Sequence, residues 1–153
     1  MLTEHYSVYT YDRRGRGESG DTKPYAVDRE IEDIEALIDH AGGKAYLFGV
    51  SSGAALSLRA AAKLGADKVS KLALYDPPYG QPQRDFAEQK ARVSELVRTG
   101  QPGDAAAYFL HAAAGRIASL VPEGRHTTIK GQAHGVTADA TVPVLVEFFG
   151  KAQ

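Results

Sequence analysis

The chain has 153 residues, with 18 basic side chains (Lys and Arg) against 19 acidic ones, so its formal net charge is −1. This balance excludes a strong electrostatic attraction to nucleic acids or to anionic membranes. The absence of cysteine excludes disulfide bonds, thiolate metal sites and cysteine nucleophiles. Apolar residues make up 43% of the chain and charged residues 24%, proportions typical of a globular protein with one hydrophobic core.

No targeting or membrane-spanning segment is evident in the sequence. The N-terminus does not show the basic segment followed by an apolar one that a secretory signal requires. The longest clear apolar runs, such as residues 45–50, are about six residues long, whereas a membrane helix needs about 20. We therefore expect a cytoplasmic protein that forms a single domain over residues 1–153.

Strand and helix patterns alternate along the first part of the chain. Residues 6–11 are aromatic and β-branched, which predicts a strand, and the charged, glycine-rich residues 12–22 predict a loop. Apolar residues recur at spacings of 3 and 4 over residues 27–41, which predicts a helix that opens at Pro24 and turns its acids to solvent. Residues 44–50 are almost wholly apolar, as in a strand buried on both faces of a parallel sheet.

The same alternation continues to the C-terminus. The remaining predicted elements are, in chain order, a helix at 52–64, a strand at 69–75, helices at about 85–98 and 104–114, a strand at 125–130 and a helix at about 140–149. This order favours an α/β fold, with a mainly parallel sheet of about four strands flanked by helices.

A candidate nucleophile lies between the second predicted strand and the helix after it. Residues 49–53 read Gly-Val-Ser-Ser-Gly, a Gly-x-Ser-x-Gly pattern in the strand-to-helix context of a nucleophile elbow. Glycine on both sides of Ser51 is expected to relieve a steric clash in so sharp a turn. The helix N-terminus favours developing negative charge, and the backbone amide of Ser52 is the expected oxyanion donor. The alternative is an ordinary turn in which the serine caps the helix.

His134 is the candidate base and Asp76 the candidate acid. His134 lies in a glycine-flanked loop after the fourth predicted strand, so it is expected at the same carboxyl edge of the sheet as Ser51. Asp76 ends the third predicted strand at that edge. The order Ser51, Asp76, His134 is the one expected of a Ser-Asp-His triad on such a sheet. In the alternative interpretations, His134 is a solvent-exposed loop residue and Asp76 caps the Pro-Pro turn that follows it.

Four motifs resemble those of the α/β-hydrolase superfamily and follow one another in its order. They are the loop at residues 11–19, the elbow at 48–53, the strand end at 74–78 and the histidine loop at 131–135. The resemblance implies a reduced α/β-hydrolase fold, since the family's earlier strands, its His-Gly type oxyanion loop and the strand that usually carries the acid are missing. Some members carry the acid where Asp76 stands, which ranks Asp76 above Asp104 and Asp139.

The resemblance also implies an activity. We expect a carboxylesterase-like serine hydrolase that cleaves short-chain carboxylic esters through an acyl-enzyme intermediate. Ser51 would attack the ester carbonyl, His134 would take the serine proton, and Asp76 would orient His134. A remnant helical cap at about residues 81–115 would cover little of the site. No metal or organic cofactor is implied.

The missing strands lead us to expect a homodimer. In the family, one strand lies between those that correspond to residues 6–11 and 44–50, and another lies between those at 69–75 and 125–130. The four strands must then form a smaller sheet or pair with a second subunit along an exposed apolar edge. The expected partners are a small-molecule ester and a second copy of the chain, without nucleic acid or membrane.

Three other functions stay open at this point. A degenerate α/β hydrolase that binds a ligand or only assembles is one, because the oxyanion loop is missing. A cofactor-free haloperoxidase and a hydrolase of carbon–carbon bonds use the same scaffold. A dinucleotide site at Gly15, Gly17 and Gly20 fits the Gly-x-Gly-x-x-Gly spacing, but the residues that follow break a helix rather than open one.

Overall fold

Helices pack on both faces of a parallel β-ribbon in the computed structural model, which describes residues 1–78, 83–101, 117–132 and 134–150. The elements are, in chain order, a 3-10 turn at Leu2–Glu4, α1 at Val27–His40, β1 at Ala45–Val50, α2 at Ser52–Lys68, β2 at Val69–Tyr75, α3 at Gln83–Arg98 and α4 at Ala138–Phe149. The predicted α/β class is confirmed, together with four of the predicted helices. The helix predicted at 104–114, and with it much of the predicted cap, lies outside the described residues.

The two strands bring their carboxyl ends to one edge of the ribbon. β1 and β2 pair in parallel through the crossover helix α2, with Val50 opposite Tyr75 at the end of the ladder. The pairing extends one residue further, because the Ser51 amide donates a hydrogen bond to the Tyr75 carbonyl at 2.9 Å. Ser51 and Asp76, which follow the two strands directly, therefore lie at the same edge.

The other two predicted strands, at residues 6–11 and 125–130, do not form. Both segments belong to the described part of the chain, and neither is paired in a ladder. A strand exists only where a neighbouring backbone exchanges hydrogen bonds with it, and the described residues supply no such neighbour. The resemblance to the family implies that a strand absent from this sequence separates each segment from the ribbon. The expected sheet of about four strands is therefore two strands wide in the described residues.

The larger core lies between α1, α2 and one face of the ribbon. Ile31, Ile34 and Ile38 of α1 are 2–6% exposed, and their spacing is the one that predicted this helix. They pack with Leu56 and Ala60 of α2, and the edge of this cluster is completed by Val69 and by Ala45 and Leu47 of β1. Each buried isoleucine contributes about 1.5–3 kcal/mol to folding, so this contact holds α1 against α2.

α1 departs from the sequence-based expectation at two points. The sequence pattern predicts that all of its acids face solvent, yet Glu30 is 2% exposed. The position follows Val27 by three residues and precedes Ile34 by four, which places it on the apolar face of the helix. Pro24 does not open the helix either, because α1 begins only at Val27.

α4 covers the opposite face of the ribbon. Successive side chains of a strand point to opposite faces, so Tyr46 faces away from the core that holds Leu47. The rings of Tyr46 and Phe149 are stacked with centroids 4.9 Å apart, and Lys71 of β2 donates to the last carbonyls of α4, at 2.9 Å for Phe149. None of the helices in the described ranges is long and apolar enough to span a membrane.

The cover on this second face is incomplete. Tyr46, Phe48 and Val50 alternate along β1 and are 40%, 38% and 37% exposed. The expectation that β1 is buried on both faces is therefore wrong in the described structure. On the core face of β1, Ala45 and Leu47 are partly buried against the main cluster. On the other face, Phe149 of α4 stacks on Tyr46, yet all three side chains stay more than a third exposed.

Candidate active site

Ser51 occupies a sharp turn between β1 and α2. Its backbone angles, φ 52° and ψ −121°, lie in a region that L-residues rarely adopt. The turn brings the end of β1 against the start of α2, and a Cβ at position 49 would lie 2.5 Å from the Gly53 carbonyl oxygen. Gly49 is therefore required by the turn. Gly53 is not, because a Cβ there would meet nothing within 4 Å, so only one of the two expected glycine requirements holds.

The side chain of Ser51 does not cap the helix that follows. Ser51 is the N-cap residue of α2, but its hydroxyl makes no capping hydrogen bond. The alternative of a structural serine cap therefore finds no support in this geometry. Ser52 is the first residue of α2, so its amide belongs to the first four N–H groups of the helix, which have no acceptor within it.

Asp76 and His134 are in direct contact. Asp76 follows β2, and its Oδ2 lies within hydrogen-bonding distance of Nδ1 of His134, which comes from the loop before α4. The Asp76 side chain is 8% exposed and the His134 side chain 57% exposed, so a nearly buried carboxylate holds an accessible imidazole. The carboxylate thus contacts the imidazole, as the triad interpretation requires, rather than serving only the Pro-Pro turn.

Ser51 and Asp76 share a backbone property. Among the described residues, they are the two non-glycine residues with a positive φ, and each has φ 52°. Each directly follows one of the paired strands. Such conformations cost about 1–3 kcal/mol and cluster at functional sites.

The serine and the histidine are not hydrogen-bonded to each other. Within the described residues, no hydrogen bond joins the Ser51 hydroxyl to the His134 ring. Since Asp76 engages Nδ1, Nε2 is the ring nitrogen left for a serine hydroxyl. Catalytic hydrogen bonds are often long before substrate binds and shorten in the complex, so this arrangement is compatible with a triad.

The sequence did not predict a cluster of charged and polar side chains that lies beside the elbow. The carboxylate of Glu30 accepts two hydrogen bonds from the Arg13 guanidinium, the one from Nη2 at 2.7 Å, and a third from the Tyr25 hydroxyl at 2.7 Å. Nη1 of Arg13 also lies 3.4 Å from Oγ of Ser52. The available signal was an acid on the apolar face of α1, which requires a cation nearby.

The electrostatics of this cluster follow from its hydrogen bonds. The bonds from Arg13 hold the pKa of the Glu30 carboxyl below its usual range, against the opposing effect of burial. The same contact raises the pKa of the Arg13 guanidinium. The bond to Glu30 likewise raises the pKa of the Tyr25 hydroxyl. Arg13 and Glu30 are therefore a stable ion pair at neutral pH.

The glycine-rich loop does not have the geometry of a dinucleotide site. A Cβ at Gly17 would lie 2.1 Å from Oδ2 of Asp12, and the Glu18 amide donates to that same oxygen at 3.1 Å. The loop is therefore filled by its own carboxylate. No helix opens at these glycines either, since α1 begins only at Val27.

No described group of three or more His, Asp or Glu side chains has the geometry to hold a metal ion. The ribbon edge holds a strained serine at a helix N-terminus and a histidine in contact with a carboxylate, the types of group that acyl-transfer chemistry uses.

The ribbon, its crossover helix and the elbow define an α/β hydrolase, and comparison with known proteins agrees. A profile of the alpha/beta hydrolase family matches residues 1–150, so the chain belongs to this family. The resemblance drawn from the four motifs is thereby confirmed.

Two proteins are similar to this chain over different lengths. The crystal structure of an alpha/beta hydrolase from Sphaerobacter thermophilus DSM 20745 superposes with a TM-score of 0.69 at 32% sequence identity, covering 92% of this chain and 80% of that one. An N-formylmaleamate deformylase of Pseudomonas putida (strain KT2440) is 40% identical over 86 residues, which are 54% of this chain and 32% of that protein. The match thus spans about a third of the deformylase.

Proposed function

We propose that the protein is a serine hydrolase of small carboxylic acyl compounds, with Ser51 as nucleophile, His134 as base and Asp76 as the group that orients His134. The observation that carries this proposal is the pair of positive-φ residues, Ser51 and Asp76, at the ends of two adjacent parallel strands, with Asp76 in contact with His134. Family membership supports hydrolysis in general.

The reaction follows the roles of these groups. Nε2 of His134 accepts the Ser51 proton as Oγ attacks the substrate carbonyl carbon, which forms a tetrahedral intermediate with an oxyanion. The intermediate collapses when the bond between the former carbonyl carbon and the ester oxygen breaks. His134 gives its proton to that oxygen, which leaves as the alcohol. Water then attacks the acyl-enzyme by the same proton transfers and releases the acid. The Asp76 carboxylate stabilises the imidazolium formed in each half-reaction.

Stabilisation of the oxyanion is assigned to the start of α2. The Ser52 amide follows the nucleophile directly, and the helix N-terminus carries a partial positive charge. One donor of this kind is worth about 10²–10³ in rate.

Short acyl groups are the substrates that this site favours. The His134 side chain is 57% exposed, so the site is open in the described structure. Chain-length preference depends on buried apolar area, at about 25 cal/mol per Å². An open site buries little of a long chain, and we therefore propose short-chain carboxylic esters.

Hydrolysis of a small amide is the second candidate. It is favoured by the 40% identity over 86 residues to the N-formylmaleamate deformylase. The same residues would serve, because His134 would protonate a leaving nitrogen in place of a leaving oxygen. A formyl group is also the smallest acyl group, in keeping with an open site.

Kinetics with matched serine variants test this proposal. We expect wild-type protein to hydrolyse p-nitrophenyl acetate, and Ser51→Ala to lower kcat by about 10⁴-fold because the nucleophile is removed. Ser70→Ala, an exposed serine on β2, is the control and should keep the wild-type rate. Esters of 2 to about 16 carbons and an N-formyl amide then distinguish the two substrate classes. Equal rates for Ser51→Ala and wild type would contradict the serine mechanism, and an inert wild-type protein would favour the degenerate alternative.

A further inference from the structure

Arg13 connects a buried carboxylate to the first residue of α2. Its Nε and Nη2 donate to the two oxygens of Glu30, and its Nη1 lies 3.4 Å from Oγ of Ser52. We propose that Arg13 is a positioning residue of the active site, which fixes Ser52 and with it the amide next to the nucleophile. The inference rests on the proposed function, because it assigns that amide a role in the reaction.

The guanidinium is held in one orientation. Glu30 is 2% exposed on the packed face of α1, and Tyr25 engages the same carboxylate oxygen, Oε1, that accepts from Nη2 of Arg13. Two parallel hydrogen bonds to one carboxylate fix the plane of the guanidinium. The remaining nitrogen, Nη1, therefore points in a direction set by the core and not by the mobility of a surface side chain.

Only arginine has the donors for this geometry. A lysine would keep the positive charge opposite Glu30, but its single ammonium group cannot form the planar pair and also reach a third oxygen. The side chain of Arg13 is 18% exposed, so few water molecules compete for its contacts. The cluster thus joins the loop before α1, α1 itself and the start of α2.

The contact between Arg13 and Ser52 matters because Ser52 directly follows the proposed nucleophile, Ser51. The Ser52 amide lies in the first turn of α2 and directly follows Ser51, so a shift of Ser52 moves the oxyanion donor relative to the nucleophile. A misplacement of about 1 Å can cost about 10²-fold in rate. Such a loss falls on kcat, since the donor acts on charge that develops only in the transition state.

The neighbouring residue supplies a matched control. Arg14 also forms a two-bond pair with an acid of α1, through Nε and Nη2 to Asp33 at 2.8 and 2.7 Å. Its side chain is 17% exposed, nearly the same as that of Arg13. Among the described residues, Arg14 makes no hydrogen bond with Ser52, whereas Arg13 does. The partner acids also differ, because the Asp33 side chain is 33% exposed and the Glu30 side chain 3%.

The experiment compares Arg13→Lys, Arg14→Lys and Ser52→Ala in the full 153-residue chain. We expect Arg13→Lys to lower kcat for p-nitrophenyl acetate by about 10–100-fold with KM within about twofold, and Arg14→Lys to stay within about threefold in both. Arg13→Lys should add little in the Ser52→Ala background, because the two changes remove one contact. Ser52→Thr keeps a hydroxyl and should restore most of the rate.

A second readout does not depend on activity. Hydrogen exchange of the Ala55 amide, which donates to the Ser51 carbonyl at 3.2 Å, should be about tenfold faster in Arg13→Lys and in Ser52→Ala, and unchanged in Arg14→Lys. Ser52→Ala leaves the Glu30 pair intact, so the test stands even where Arg13→Lys does not fold.

Three results would overturn the proposal. One is an equal kcat for Arg13→Lys and Arg14→Lys. Another is a rise in KM at constant kcat in Arg13→Lys, which would make Arg13 a substrate-binding residue. The third is unchanged exchange of the Ala55 amide, which contradicts the role of Arg13 even in a protein without esterase activity. That last case separates a failure of this inference from a failure of the proposed function.

Discussion

Two residues of the ribbon edge carry backbone strain, and both are chemically functional types. Ser51 and Asp76 each have φ 52°. For a residue other than glycine, this backbone conformation costs about 1–3 kcal/mol. The fold sustains this cost because β1 and β2 are paired up to Val50 and Tyr75, directly before each residue. The strain holds a hydroxyl and a carboxylate at fixed places on the same edge, which is the preorganisation that a triad requires.

The elbow requires glycine at position 49 but not at position 53, and a pair of alanine variants tests this difference. Gly49→Ala would place a Cβ 2.5 Å from the Gly53 carbonyl oxygen, so we expect a loss of about 1–3 kcal/mol in the free energy of unfolding. Gly53→Ala meets nothing within 4 Å and lies in a helix, so its stability should be unchanged or slightly higher. Urea titration of both variants measures the difference, and equal stabilities would contradict the close approach of β1 and α2.

The sequence indicated the triad candidates but not the residues that support them. Ser51, Asp76 and His134 are found by motif and by order along the chain, since each follows a recognisable element. Arg13 and Glu30 are 17 residues apart in segments that look like a solvated loop and a solvated helix face. Their pairing depends on how α1 rotates over α2, which only the packing of Ile31 and its neighbours determines.

At the level of elements, α1 is attached to the loop before it through Arg–carboxylate pairs, and one of these pairs predicts a pH dependence. Arg13 lowers the pKa of Glu30 in the fold. A carboxyl group with a depressed pKa stabilises the fold above its unfolded pKa, about 4.3, and loses that contribution as pH falls through the folded value. Part of the acid destabilisation below about pH 4.5 should therefore come from Glu30.

Glu30→Gln isolates this contribution. The free energy of unfolding, measured from pH 7 to pH 3, should fall less steeply below about pH 4.5 in Glu30→Gln than in wild type. The variant should also be less stable than wild type at pH 7, because Arg13 loses its charged partner. Glu32→Gln, an exposed acid of the same helix, is the control. Identical acid slopes in wild type and Glu30→Gln would contradict the assigned role.

Helices were easier to predict than strands, for a physical reason. The bonds of α1 lie within the segment, so the 3- and 4-residue spacing of Ile31, Ile34 and Ile38 suffices to predict it. Residues 6–11 have a strand-like composition, but a strand needs a partner, and composition does not supply one. The same holds for residues 125–130. Ala45–Val50 and Val69–Tyr75 form because each has the other as neighbour.

For the whole molecule, we expect self-association through the exposed apolar side chains of β1. Phe48 and Val50 are 38% and 37% exposed, and β1 is paired along one edge only within the described residues. A strand whose second backbone edge is unpaired and whose side chains are apolar and exposed favours pairing with a second copy of the chain. We expect light scattering at micromolar concentration to give about twice the chain mass of 16.4 kDa. Phe48→Lys, which places a charge among these apolar side chains, should shift the mass toward the monomer. A monomeric wild-type protein would contradict the prediction.

Covalent labelling tests most directly whether Ser51 is an activated nucleophile. A fluorophosphonate reacts with a serine whose hydroxyl has a base and an oxyanion site, and ordinary serines stay unmodified. After incubation and proteolysis, mass spectrometry should find one adduct, on Ser51, that is lost in His134→Ala and kept in Ser70→Ala. An unlabelled Ser51 in the folded protein, or an adduct on another serine, would contradict the account.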